Sequence, residues 1–181
     1  PGINDPVSPG YSMMRSGIHK ASLSTTYTDP SGVVMSWPKV WDQNYGNGDI
    51  NGVAMTEPGG TDLFGGTQPW MDVSVSPGLI HHVIVYPRTD SPGSNAAALD
   101  RCNVLATWFD PAVFSLQLAL QFYNHPLGGY YCGPTQSGVN GDTTPLTFDC
   151  TNGAAANELG SHGIYARQVV LLCEGSYIAV D

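Results

Sequence analysis

The sequence predicts an all-β domain, a sandwich or barrel of short strands. Segments of four to ten residues rich in β-branched and aromatic side chains recur along the chain, each stopped by Gly, Pro, Asp or Asn. The 181 residues include 22 Gly and 14 Pro, too many turn-forming residues for a helical protein. With 41% apolar residues, the chain can bury a sizeable core.

Eight segments have the composition of strands: residues 20–27, 69–75, 79–87, 102–110, 113–123, 145–150, 164–173 and 176–180. The fifth is the clearest, because large apolar side chains alternate with smaller or polar ones from Phe114 to Phe122. Such a period of two indicates a strand with one face on a core. Only residues 94–101 and 153–160 suit a helix, of one or two turns each. Many short strands separated by turns predict a sandwich or barrel.

The domain organisation follows from composition. Residues 1–19 are rich in Pro, Gly and Ser and are expected to form a linker or lead-in segment, with one compact domain over 20–181. The first ten residues have neither an initiator Met nor the apolar core of a signal peptide, so we expect a mature chain or a piece of a longer one. No stretch reaches the length of a membrane-spanning helix, and we expect no membrane insertion.

Charge restricts the partners. Six basic and fifteen acidic residues give a net charge of −9, which disfavours nucleic acid and anionic membranes. Few charges, nine Tyr and four Trp are typical of secreted or cell-surface β domains. We therefore expect an extracellular location.

The four cysteines are even in number and form no C-x-x-C pair. Cys132 and Cys150 bracket a loop rich in Gly, Pro, Thr and Asn, which indicates a disulfide-closed loop. Cys102 and Cys173 would then form a second bridge between two strands. The alternative is four buried free thiols.

No catalytic motif is found. The sequence has no Gly-x-Ser-x-Gly elbow, no His-Glu-x-x-His and no phosphate-binding Gly-rich loop before a helix. His81 and His82 are adjacent, so on a strand they would point to opposite faces and could not readily share a metal. We expect no enzymatic activity and assign no catalytic residue.

Six motifs stand in a recognisable order: ASLSTTYTDP, VWDQNYGNGDIN, PWMDVSV, GLIHHVIVYPRTD, DRCNVLATWF and SYIAV. This order, over roughly residues 20–181, resembles the discoidin-type (coagulation-factor type C) galactose-binding-like jelly roll. Within that group the chain is most similar to the fucose-binding F-type lectins. The resemblance implies a β-sandwich jelly roll with its ligand site at rim loops.

Arg88 and Asp90 end the third predicted strand and are the candidate sugar-binding residues. At positions i and i+2 of an extended strand, both side chains leave the same face. A guanidinium donor beside a carboxylate acceptor can hold neighbouring sugar hydroxyls. F-type lectins use a His, then Arg-x-Asp, then a further basic residue; Arg101 is the next basic residue here, and Thr56 aligns with the His. The alternative is an internal Arg88–Asp90 clamp, worth about 0–1 kcal/mol at a surface.

The loop WDQNYGNGDING concentrates Asp42, Asn44 and Asp49 with three glycines. Carboxylate, amide and carbonyl oxygens are ligands that calcium prefers, although the EF-hand pattern is excluded because Val53 stands where its final Glu belongs. The resemblance places Asp42 and Asn44 on positions that help to bind a structural Ca²⁺ in F-type lectins, with a further Glu expected after residue 181. The alternative is an Asx-rich turn stabilised by its own side chains.

Two functions remain open. The first is an extracellular lectin-like module that binds a glycan or glycoprotein through Arg88, Asp90 and Arg101, with a structural Ca²⁺ at Asp42, Asn44 and Asp49. The second is an interaction or adhesion module of a larger cell-surface, matrix or filament protein. That module would contact other copies or domains of the assembly and would retain no sugar site.

Overall fold

The computed structural model describes residues 18–35, 53–59, 68–108, 129–151 and 162–180. These residues form strands with very little helix, so the all-β prediction is confirmed. The strands are β1 (Ile18–Leu23), β2 (Ala54–Met55), β3 (Trp70–Ile80), β4 (His82–Val85), β5 (Asn103–Thr107), β6 (Tyr130–Tyr131), β7 (Leu146–Asp149), β8 (Ile164–Leu172) and β9 (Ala179–Val180). A 3₁₀ turn (Pro92–Ser94) leads into the helix α1 (Asn95–Ala98).

The main sheet is antiparallel and has the order β1-β3-β8-β5-β6. Two smaller pairs, β2–β9 and β4–β7, complete the described architecture. Strand β8 lies at the centre of the main sheet because it pairs with β3 on one side and with β5 on the other. This arrangement gives the β8 backbone hydrogen-bond partners along both of its edges.

Alternation along the strands gives the main sheet two different faces. One face contributes to the principal core, with Met71, Val75, Val104, Ala106, Val169 and Leu171. The opposite face carries a smaller buried cluster of Trp70, Leu105, Val170 and Leu172. Trp70, the first residue of β3, thus faces away from Val73 and Val75.

Strand β3 is longer than predicted. The sequence suggested two strands separated near Pro77, whereas a single strand runs from Trp70 to Ile80. The register against β8 shifts between Ser74 and Gly78, which marks a bulge. Pro77 has no N–H to donate to a neighbouring strand. A bulge leaves its extra residues unpaired, so the strand can continue through Pro77.

Both predicted disulfides are present. Cys102 is joined to Cys173, which ties the start of β5 to the end of β8 across a sequence separation of 71. Cys132 is joined to Cys150 across a separation of 18, which ties the residue after β6 to the residue after β7. Because the described part contains no free cysteine, the alternative of four thiols is wrong.

Several predictions fall outside the described residues: the strand over 113–123, the second helical segment over 153–160 and the calcium loop. The first helical segment forms α1. β1 begins at Ile18, two residues before the expected start of the domain at residue 20. Within the described ranges, no helix combines the length and apolar character needed to cross a bilayer.

Candidate functional site

Arg88 lies at the end of the main sheet where β3 begins and β8 ends. Trp70 pairs with Leu172 there, and the Trp70 carbonyl accepts the Ser24 N–H at 2.9 Å. Three residues further on, the Tyr27 N–H donates to the Met55 carbonyl at 3.0 Å. Arg88 reaches the same Met55, with Nη1 3.7 Å from its Sδ.

The Arg88 and Asp90 side chains form a two-pronged ion pair. Arg88 Nε donates to Asp90 Oδ1 at 2.8 Å, and Nη2 donates to Oδ2 at 2.5 Å. Each side chain is 10% exposed, so the pair lies just beneath the surface. Planar guanidinium and carboxylate groups match each other in this arrangement, which is stronger than a single contact between neutral groups.

The surroundings keep Arg88 charged. Its hydrogen bond to Asp90 raises the pKa of the guanidinium above its usual value, while burial acts in the opposite direction. The Asp90 charge raises the pKa further, with smaller contributions from Tyr177 and Tyr27. A permanently charged donor that also retains a negative neighbour suits ligands whose groups both donate and accept hydrogen bonds.

The ion pair leaves hydrogen-bonding capacity unused. Two of the three guanidinium nitrogens face Asp90, and among the described residues the third, Nη1, meets the weak sulfur acceptor of Met55. Each Asp90 oxygen accepts one of these bonds and has a second lone pair. A sugar hydroxyl could therefore replace the Met55 sulfur as the acceptor of Nη1 and form a stronger hydrogen bond there. A hydroxyl could also donate to Asp90.

Thr56, which aligns with the His of F-type lectins, adjoins this site. It follows Met55 directly and is fully buried, and its hydroxyl accepts the Ile178 N–H at 2.8 Å. The Thr56 N–H donates in turn to the Ile178 carbonyl at 2.9 Å. Thr56 is therefore committed to holding the β2–β9 pair together.

Arg101 has a different partner from Arg88. Its Nη1 lies 3.0 Å from Glu174 Oε2, and its side chain is 65% exposed. The pair stands beside the Cys102–Cys173 bridge, where the Glu174 N–H also donates to the Asp100 carbonyl. An exposed ion pair of this kind contributes about 0–1 kcal/mol.

The structure adds three side chains that sequence reasoning did not place near Arg88: Tyr27, Met55 and Tyr177. Each comes from a different part of the chain, and no spacing pattern relates them. The predicted calcium residues Asp42, Asn44 and Asp49 lie outside the described residues. Within the ranges that are described, no group of three or more His, Cys, Asp or Glu side chains is arranged to hold a metal ion.

Comparisons with known proteins concern the fold. No protein-family model matches the chain, and no curated protein is similar to it. Among solved structures, it is similar to the lectin binding domain of Lectinolysin, a His 62 mutant complexed with Lewis b. The TM-score is 0.53 at 16% identity, over 89% of this chain and 86% of that one.

A second similar structure is the f-lectin (fucolectin) from striped bass (Morone saxatilis) serum, with a TM-score of 0.51 at 13% identity over 91% of this chain. The chain spans 46% of that lectin's length. A third is Clostridium perfringens ZmpB, whose structure comprises CBM32-1, CBM32-2 and M60 catalytic domains. Its TM-score is 0.51 at 14% identity, over 92% of this chain and 14% of that one. The predicted discoidin-like galactose-binding fold, similar to that of F-type lectins, is confirmed.

Proposed function

We propose that this chain, which has the discoidin-like galactose-binding fold, is a non-catalytic carbohydrate-binding module that works outside the cell. The observation that carries the proposal is the Arg88–Asp90 ion pair, which lies at one end of the main sheet and whose third guanidinium nitrogen, within the described part of the chain, contacts the weak acceptor Met55 Sδ. Two disulfides and the fold shared with lectin and CBM32 domains support it.

In this proposal the ion pair recognises adjacent hydroxyls of one sugar. Arg88 Nη1 donates a hydrogen bond to one hydroxyl oxygen, and an Asp90 oxygen accepts a hydrogen bond from the next hydroxyl. Tyr27 and Tyr177, whose hydroxyls influence the Arg88 charge, would pack against the apolar side of the sugar ring. Arg101 contributes only if its exposed side chain leaves Glu174.

A structural Ca²⁺ is part of the proposal. Asp42, Asn44 and Asp49 would hold the ion through carboxylate and amide oxygens, the ligand chemistry that calcium prefers. Its role would be to fix the shape of the loop before a ligand arrives, which lowers the conformational entropy lost on binding. The support comes from residue types and from the resemblance to F-type lectins.

A second candidate function is supported by the same ion pair. Arg88 and Asp90 satisfy each other and are each 10% exposed, which also suits a clamp that pins the loop after β4. In that case the domain would be an interaction module within a larger cell-surface, matrix or filament assembly. The clamp would then serve stability alone.

A glycan array probed with the wild-type protein, Asp90→Asn and Arg88→Lys tests the primary proposal. Asn keeps the shape of Asp90 but loses its charge, and Lys keeps the charge of Arg88 but loses its planar fork. Asp142→Asn is the matched control, because Asp142 is an exposed carboxylate in a turn. Melting curves of all four proteins show whether each variant is folded at the array temperature.

Carbohydrate binding predicts at least a tenfold loss of signal in both site variants and none in the control. Addition of EDTA should reduce the array signal of the wild-type protein if the loop calcium shapes the site. A blank array with folded wild-type protein would refute the proposal, and multimers on a sizing column would then support the interaction module.

A further inference from the structure

Trp108 and Tyr165 form an exposed aromatic pair. Their ring centroids are 5.1 Å apart with an interplanar angle of 23°, an offset-stacked arrangement. Trp108 is 48% exposed and Tyr165 is 55% exposed. Leu79, 44% exposed, is the cross-strand partner of Tyr165 in the β3–β8 ladder. Three large apolar side chains therefore meet at one place on the surface.

This aromatic pair lies at the other end of the main sheet from Arg88. Tyr165 is the second residue of β8, and Trp108 directly follows β5. Leu172, at the far end of β8, pairs with Trp70, whose carbonyl accepts the Ser24 N–H. Three residues further along the chain, Tyr27 bonds Met55, the residue that Arg88 contacts. Seven residues of strand separate Tyr165 from Leu172, or about 23 Å at ~3.3 Å per residue. A single sugar unit bound at one end of the sheet does not touch the other end.

A purely structural role explains this placement poorly. Complete burial of an aromatic side chain removes about 150–250 Å² of its surface from water. Trp108 and Tyr165 each leave roughly half of their surface exposed, so each loses about half of the stabilisation that burial would give. Single exposed apolar residues are common and need no explanation. A contiguous patch of two stacked rings and a leucine, on a chain with only 12% charged residues, is typical of a contact surface.

The charge of the chain selects among possible occupants. A net charge of −9 repels nucleic acid and a second copy of the chain. A neutral sugar is not repelled, and the axial C–H groups on one side of a pyranose ring are complementary to an aromatic face. The Trp108 indole N–H and the Tyr165 hydroxyl can also bond hydroxyls at the rim of such a ring.

We propose that Trp108 and Tyr165 form a second carbohydrate-binding subsite, which stacks against the C–H face of a neutral pyranose. The inference extends the proposed function, yet it depends on different residues at a different end of the sheet. Two subsites would allow one polysaccharide chain, or two neighbouring chains, to be held at both ends. Each weak contact would then gain from the high effective concentration that the other creates.

Affinity electrophoresis in native gels tests the subsite. The gels contain galactomannan, xyloglucan or hydroxyethyl cellulose, three neutral polysaccharides, and the readout is the retardation of the protein. The variants are Trp108→Ala, which removes the ring, and Trp108→Phe, which keeps a smaller one. Ile84→Ala is the matched control, because Ile84 is a similarly exposed apolar residue on β4.

Wild type is expected to be retarded in at least one gel. Trp108→Ala should weaken that binding at least tenfold, Trp108→Phe should retain part of it, and Ile84→Ala should leave it unchanged. Asp90→Asn separates the two sites, because unaltered retardation of this variant would show that the subsite binds without the Arg88 site. If the glycan array of the wild-type protein is also blank, the subsite is supported and the Arg88 site is refuted. Retardation lost in Asp90→Asn but kept in Trp108→Ala would refute the subsite.

Two further results would also overturn the inference. The first is a wild-type protein that no polysaccharide retards. The second is a wild-type dimer in sedimentation that Trp108→Ala converts to a monomer without any change in retardation, since the aromatic pair would then be a self-association surface.

Discussion

Arg88 and Asp90 show how two nearby residues can define a site. Burial disfavours both charges, and the two hydrogen bonds between them offset that penalty. The energetic consequence is asymmetric, because loss of one partner leaves the other charged and poorly hydrated. Replacement of both removes the penalty together with the attraction.

We expect Arg88→Met to destabilise the fold by about 3 kcal/mol, since it leaves the Asp90 carboxylate without its counter-ion. Arg88→Met combined with Asp90→Leu should recover most of that loss, because neither charge then remains. Urea unfolding of both single variants and the double variant gives the coupling energy. Additive losses in the double variant would show that the pair contributes little.

The same residues show what the sequence could predict of the site. The sequence predicted an extended strand through Arg88 and Asp90, whereas the strand ends at Val85 and residues 89 and 90 form a bend. The two side chains nevertheless meet, and internal pairing was one of the two sequence-based interpretations. The proximity of Met55 and Tyr177 was not predictable, because it results from the pairing of β2 with β9, two strands of two residues each. Such short strands carry no measurable alternation.

At the scale of elements, several turns are closed by an aspartate that accepts hydrogen bonds from residues two to four positions ahead. Asp29 accepts the Ser31 hydroxyl and the Val33 N–H, and Asp149 accepts both groups of Thr151. The hydrogen bonds from Ser31 and Thr151 lower the pKa of the respective aspartates below its usual value. The stability of these turns therefore depends on whether the two carboxyl groups are ionised, and so on pH.

A lowered pKa in the folded state stabilises the fold at pH values above the unfolded-state value, about 3.9 for Asp. That stabilisation is lost as the pH falls through the lower folded-state value. We expect the melting temperature to decrease between about pH 4 and pH 2, and to decrease less steeply in Asp29→Asn/Asp149→Asn, which keeps the acceptors but does not titrate. Calorimetry across this range measures the effect; parallel curves for the two proteins would contradict it.

Strand prediction succeeded where β-branched, aromatic and other apolar residues are concentrated between turn-forming residues. β5, β7 and β8 lie within the predicted segments 102–110, 145–150 and 164–173. It was wrong about the break in β3, because Pro77 and Gly78 suggest a turn locally. The pairing with β8 instead accommodates them in a bulge, and tertiary contacts decide between the two.

At the scale of the whole molecule, two covalent bridges restrict the unfolded chain. The Cys102–Cys173 bridge closes a loop of 71 residues, and Cys132–Cys150 closes one of 18 inside it. Loop-closure entropy makes the longer bridge worth more, about 4 kcal/mol against about 3 kcal/mol. The two bridges thus contribute stabilisation comparable to much of the net stability of a typical domain.

We expect Cys102→Ser/Cys173→Ser to lower the free energy of unfolding more than Cys132→Ser/Cys150→Ser. Chemical denaturation of both double variants measures the difference, and wild type treated with a reducing agent should be less stable than either. The opposite order would show that native contacts near the shorter bridge outweigh chain entropy.

The proposed calcium ion would also affect the whole molecule, since an ion held only by the native form raises its melting temperature. At a Ca²⁺ concentration of ~100 times the dissociation constant, the stabilisation is about 2.7 kcal/mol. We expect EDTA to remove it and Asp42→Ala/Asp49→Ala to abolish the response. A melting curve independent of Ca²⁺ would contradict the proposed ion.

The longer bridge has a mechanical consequence. When tension is applied to the two ends of the oxidised chain, the load passes through the sulfur atoms and bypasses the residues between Cys102 and Cys173. Roughly 240 Å of backbone is thereby prevented from extending, at ~3.4 Å for each residue of the enclosed segment. Under shear or pulling, the segment that carries β5 to β8 therefore could not be extended while the bridge is intact.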